Sequence, residues 1–82
     1  MNPTKLASAP QLADYVVSDP ARLGGEPVFK GTRVPVRSLF EHLRDGISLD
    51  DFLEDFEGVT REQAQAVIDL AESGLIQQSR QP

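Results

Sequence analysis

The stretch from Gly24 to Val36, GGEPVFKGTRVPV, constrains the fold of this chain more than any other stretch does. Its glycines and prolines are incompatible with a continuous helix, and its valines favour extended backbone. We therefore expect a short strand at residues 27–29, followed by a tight turn in which Gly31 supplies a positive φ. Pro35 keeps the residue before it extended. With the β-prone run Tyr15-Val16-Val17 upstream, the stretch predicts a small β-arm that needs packing partners.

Downstream of this arm, apolar residues recur at helical spacing in three consecutive segments. The expected start and stop signals are Gly46, Ser48, Gly58 and the capping-box pair Thr60 and Gln63. Gly74 is expected to interrupt or cap the third helix. The predicted core consists of Val36, Leu39, Phe40, Leu43, Phe52, Leu53, Phe56, Val59, Val67 and Ile68.

Eighty-two residues are enough for one small domain. We expect a flexible N-terminus over residues 1–13, a single domain over 14–76 and a flexible tail over 77–82. The expected fold is α+β and mostly α: a short N-terminal β-hairpin followed by a three-helix, helix-turn-helix-like bundle that resembles a winged helix. Because so short a chain buries a modest core, we also expect a homodimer.

The residue inventory favours binding over catalysis. The chain contains no cysteine, and its single histidine, His42, lies on a predicted helix without a partner that would make it a general base. The acids of the second helix are better explained by the positive end of that helix than by a metal. We therefore expect no enzyme activity, no metal and no cofactor. No apolar run reaches the ~20 residues of a membrane span, and no signal peptide is apparent, so a cytoplasmic protein is expected.

The charge pattern allows a DNA-binding role to be considered, although the formal net charge is −5. Basic residues concentrate between Arg22 and Arg44, whereas acids dominate between Asp45 and Glu72. The second and third predicted helices, with their caps and the glycine-containing turn between them, have the pattern of a helix-turn-helix. The basic arm could contact phosphates. The candidate DNA-binding residues are Lys30, Arg33, Arg37, Thr60, Arg61, Gln63 and Gln65. The open alternatives are a plain three-helix bundle and basic residues that only protect a strand edge.

From Ser18 to about Ala71 the chain resembles the small bacterial domain-of-unknown-function family 433. The resemblance rests on GGEPVFKGTRVPV, DGISLDDFLEDF and VTREQAQAVI taken together. It implies the antitoxin of a type II toxin-antitoxin pair, which binds a PIN-like ribonuclease toxin and autorepresses its operon through operator DNA. The alternative is a protein–protein interaction or adaptor module without a DNA role.

Two mechanisms follow from this resemblance. In the first, the segment from Glu72 onward lies in a groove of the toxin, with Leu75 and Ile76 as apolar anchors after a bend at Gly74. Arg80 then enters a cluster of carboxylates in the toxin. In the second, a homodimer places two copies of the third helix on a palindromic DNA site.

Overall fold

A computed structural model describes residues 11–21 and 23–80 of the chain. Within these ranges it contains two short strands, β1 (Val16–Val17) and β2 (Val28–Phe29), and three α-helices: α1 (Val36–Arg44), α2 (Leu49–Asp55) and α3 (Arg61–Ser79). Single 3-10 turns lie at Leu12–Asp14 and Leu23–Gly25. The architecture confirms the expected fold class, α+β and mostly α, with a hairpin that precedes the helices. Most of the expected flexible N-terminus lies outside the described residues.

The predicted β-arm consists of β1, β2 and the turn that follows β2, and Gly31 in this turn adopts the positive φ that the sequence predicts. β1 and β2 pair antiparallel, with Val16 opposite Phe29. After β2 the chain turns through Gly31, whose φ is 81°, and the backbone N–H of Thr32 donates to the Phe29 carbonyl over 3.0 Å. The N–H of Phe29 in turn donates to the carbonyl of Val34 over 3.0 Å. The β2 strand therefore has hydrogen-bonded neighbours on both sides, and Pro35, which pairs with Val28, is extended.

The predicted starts of α2 and α3 are confirmed in atomic detail. The Ser48 hydroxyl accepts from the backbone N–H of Asp51 over 3.1 Å at the start of α2. Thr60 and Gln63 form the full capping box at the start of α3. Gly46 follows α1 with a φ of 86°, the left-handed conformation in which glycine commonly terminates helices.

The core lies where the hairpin meets the three helices. Its buried cluster comprises Phe29, Leu39, Phe52, Val59, Ala64 and Val67. The rings of Phe29 and Phe52 have centroids 6.4 Å apart, so the arm contributes directly to the aromatic part of this core. Packing of this kind is what a two-stranded hairpin requires to persist in water.

The prediction that Phe40 belongs to the core is wrong, because this residue is 37% exposed, whereas its neighbour Leu39 is fully buried. Adjacent residues on a helix point about 100° apart, so a short helix that buries Leu39 turns Phe40 towards solvent. The predicted core list also omitted Phe29 and Ala64, which are both fully buried, although Ala64 lies on the apolar stripe that the sequence predicts for the third helix.

The expected interruption at Gly74 is also wrong, because α3 continues through it to Ser79. A glycine inside a helix costs about 1 kcal/mol relative to alanine, a penalty that a long helix tolerates. Residues 77–79 of the expected flexible tail therefore belong to α3, and residues 81–82 lie outside the described ranges. Every residue from 71 to 80 is exposed, so the last part of α3 extends beyond the core.

Among the described residues, the helices all fall short of the combination of length and apolar character that crossing a membrane requires.

Candidate binding surfaces

The N-terminal end of α3 carries four of the residues predicted to contact DNA, and two of them hold the fold together. The Thr60 N–H donates to Oε1 of Gln63, and the Gln63 N–H donates to the Thr60 hydroxyl, both over 3.0 Å. The side-chain amide of Gln63 also donates from Nε2 to the carbonyl of Lys30 over 2.9 Å. Gln63 thus caps α3 and joins it to the turn that follows β2. These contacts leave little of its hydrogen-bonding capacity for a DNA base.

Three other residues of the predicted DNA surface, Arg37, Arg61 and Gln65, have side-chain partners on the protein surface. Arg61 forms an ion pair with Asp50, and both side chains are more than half exposed. Arg37 contacts Glu26 at 2.8 Å. Exposed pairs of this kind contribute only about 0–1 kcal/mol, so a stronger ligand could recruit either arginine. Gln65 donates to Asp69, four residues further along α3, over 3.1 Å.

Two basic side chains that follow β2, Lys30 and Arg33, are exposed and form no ion pair within the described ranges. The Gln63 contact brings the backbone of Lys30 next to the start of α3. Arg33 lines an open surface pocket of about 460 Å³, whose wall also carries the carboxylates of Asp19 and Glu26. The opposite charges in this wall do not favour an anion, and no motif in the sequence indicated this pocket.

The C-terminal part of α3 presents the predicted partner-binding residues. Leu75 is 68% exposed and Ile76 is 45% exposed, and both rank among the most exposed large apolar side chains of the described chain. Arg80 is the C-cap of the same helix. The three residues lie at the end of one continuous helix and not beyond the expected bend at Gly74.

His42 has a structural role in the core boundary. Its Nδ1 lies 2.7 Å from the carbonyl oxygen of Ser38, one helical turn earlier. Its ring meets those of Phe52 and Phe56 edge-on, with centroids 5.3 and 5.4 Å away. Within residues 11–21 and 23–80, no group of His, Asp and Glu side chains is arranged to hold a metal ion.

These features define a small α+β domain in which a hairpin braces three capped helices and the last helix projects beyond the core. The family model described as "Protein of unknown function (DUF433)" matches residues 16–71. Because this match covers more than half of the chain, the protein belongs to that family. Comparison with curated proteins gave no match, and comparison with solved structures gave none either.

Proposed function

We propose that this protein is the cytoplasmic antitoxin of a type II toxin-antitoxin pair, and that it neutralises a PIN-like ribonuclease by binding it through the C-terminal part of α3. The observation that carries the proposal is the exposure of Leu75 and Ile76 on the part of α3 beyond the core. The choice of a PIN-like toxin as the partner comes from the family resemblance.

The physical argument begins with the rigidity of this surface. Residues 71–79 form about 14 Å of regular helix whose side chains are all exposed. An exposed apolar pair on a preformed helix suits insertion into a groove, because the backbone does not have to become ordered on binding. Arg80 lies one turn beyond Ile76, and its planar guanidinium fits the carboxylates expected in a PIN-like site.

The distribution of charge favours a protein partner over DNA for this helix. Its exposed acids include Glu62, Asp69 and Glu72, which would lie against phosphates if the length of α3 entered a DNA groove. Two of the polar residues at its N-terminal end, Thr60 and Gln63, are engaged in the capping box. A protein groove with apolar walls imposes no such penalty.

The test is co-expression of the tagged protein with the product of the neighbouring gene, followed by affinity purification and a ribonuclease assay. We expect co-purification and inhibition with the wild-type chain, and loss of both when Leu75 and Ile76 are replaced together by alanine. Phe40→Ala is the matched control, because it removes a partly exposed apolar side chain from α1 and should leave binding intact.

Failure of the neighbouring product to co-purify, or equal binding by the double variant, would refute the proposal. Capture of a partner that has no ribonuclease activity would instead support the adaptor alternative.

A second role, autorepression of the operon, is favoured by one observation: Lys30 and Arg33 are exposed, and the described structure gives neither an ion-pair partner. If the hairpin contacts phosphates, Lys30→Ala and Arg33→Ala should each weaken retardation of the upstream DNA and lower the salt slope by about one. Retardation that is unaffected by both substitutions would exclude the hairpin as the contact.

A further inference from the structure

The last part of α3 carries an exposed row of three side chains, one helical turn apart: an acidic, an apolar and a basic residue. Glu72, Ile76 and Arg80 are four residues apart, so their side chains follow one ridge of the helix. All three are exposed, and within the described residues neither charged member forms a salt bridge. Leu75 lies beside Ile76 and widens the apolar centre of the row.

Such a row is complementary to itself when a second helix crosses it in the opposite direction. A two-fold axis through Ile76 sets Ile76 against Ile76 of the second copy. The same axis sets Glu72 against Arg80 of the second copy, and symmetry repeats that pair on the other side. Parallel crossing would instead juxtapose like charges, and opposite charges at interacting helix positions stabilise whereas like charges destabilise.

We propose that two copies of the protein associate antiparallel through this row, with Ile76 and Leu75 at the centre and two symmetric Glu72–Arg80 pairs at its ends. The occupant of the exposed helix face in the free protein is therefore a second copy of this chain. The proposal does not depend on the toxin, but it uses the same residues as toxin binding, so the two associations exclude each other.

The size of the row indicates a weak dimer. It occupies about 12 Å of one helix, whereas stable interfaces bury about 1,200 Å² or more in total. We therefore expect a reversible monomer–dimer equilibrium within the micromolar to millimolar range, with association that weakens as salt screens the end pairs.

The test uses charge reversal and sedimentation equilibrium of the full chain up to about 1 mM, a concentration that reaches weak interfaces. Glu72→Arg alone and Arg80→Glu alone each convert both attractive end pairs into repulsive ones. Each should raise the dimer Kd roughly tenfold, because the small contribution of an exposed pair is reversed twice. Circular dichroism should show unchanged helix content.

The decisive sample is an equimolar mixture of these two variants. The Glu72→Arg chain carries a base at both ends of the row, and the Arg80→Glu chain carries an acid at both ends. In a heterodimer every base therefore meets an acid, and both end pairs become attractive again. Native mass spectrometry should detect more heterodimer than either homodimer. A heterologous partner surface would not produce this rescue.

Glu62→Arg is the matched control for net charge, since it changes the formal charge from −5 to −3, as Glu72→Arg does, but lies outside the row. It should leave dimerisation unchanged or slightly favoured. The proposal is overturned if the wild-type chain stays monomeric up to about 1 mM, if single reversals leave the Kd unchanged, or if mixing the two variants restores nothing.

Discussion

Gln63 provides the sharpest test of how the hairpin and α3 are joined. Replacing it with alanine removes the acceptor for the Thr60 N–H and the donor to the Lys30 carbonyl. A hydrogen bond contributes about 0.5–1.5 kcal/mol, and these two lie in partly solvated positions, so we take the lower half of that range for each. Alanine recovers a few tenths of a kcal/mol in helix propensity. The expected loss is therefore about 1 kcal/mol in the free energy of unfolding.

Urea denaturation followed by circular dichroism measures this loss directly. With a slope of about 1 kcal/mol/M for a chain of this size, the midpoint should fall by about 1 M. Gln63→Glu keeps an acceptor for Thr60 but loses the donor to Lys30, so its midpoint should fall between those of the wild type and Gln63→Ala. The two substitutions thereby separate the helix cap from the tether to the hairpin.

The matched control is Gln65→Ala, two residues further along α3, where the side chain donates a hydrogen bond to Asp69 on the same helix. Its unfolding free energy should stay within about 0.5 kcal/mol of the wild-type value. If Gln63→Ala is as stable as Gln65→Ala, the tether contributes nothing and the structural role assigned to Gln63 is refuted. A loss of DNA retardation without any loss of stability would favour Gln63 as a base-reading residue instead.

The remaining predictions concern the core, the glycines and a helix cap. Phe29→Ala should cost about 3–5 kcal/mol and leave much of the protein unfolded at 37 °C, whereas Phe40→Ala should cost under about 1 kcal/mol in the same thermal melts. Gly31→Ala should destabilise by about 1 kcal/mol, since alanine is strained at a φ of 81°. Gly74→Ala should stabilise α3 by up to about 1 kcal/mol, and equal effects at the two glycines would contradict this reasoning. Ser48→Ala should lower the urea midpoint through a loss of about 1 kcal/mol, and an unchanged midpoint would show that the cap of α2 is dispensable.

The local signals could be predicted because their physical causes lie within a few residues of sequence. Ser48, Thr60 and Gln63 cap helices through contacts three residues away, and Gly31 and Gly46 supply backbone conformations that other residues rarely adopt. The order of the elements, a hairpin and then three helices, follows from these boundaries.

The errors occurred where neighbouring parts of the chain compete for the same space. Periodicity placed both Leu39 and Phe40 in the core, but the packed helix buries Leu39 and leaves Phe40 37% exposed. The hairpin residue Phe29 fills part of that space from outside the helical stripe. Gly74 indicated a break, yet the continuous hydrogen bonding of a long helix outweighs the cost of one glycine.

For the candidate surfaces too, the sequence identified the residues and the tertiary structure decided how they are arranged. Leu75, Ile76 and Arg80 could be named from an apolar pair and a base near the C-terminus, but only the continuity of α3 puts Glu72, Ile76 and Arg80 on one ridge. The predicted DNA-contacting set could be listed from residue type alone. Only the tertiary contacts show which of these residues cap a helix, which form surface ion pairs and which are exposed in the turn after β2.

The sequence by itself determined where α2 and α3 begin and where the chain turns after β2, because caps, glycines and hydrophobic periods act over a few residues. Only the tertiary structure decided which faces are buried and which polar groups remain available. The Gln63–Lys30 hydrogen bond joins residues 33 positions apart, and Phe29 meets Phe52 although the whole of α1 lies between them in the sequence. Contacts at such separations depend on how the elements pack in three dimensions, which local propensities do not specify.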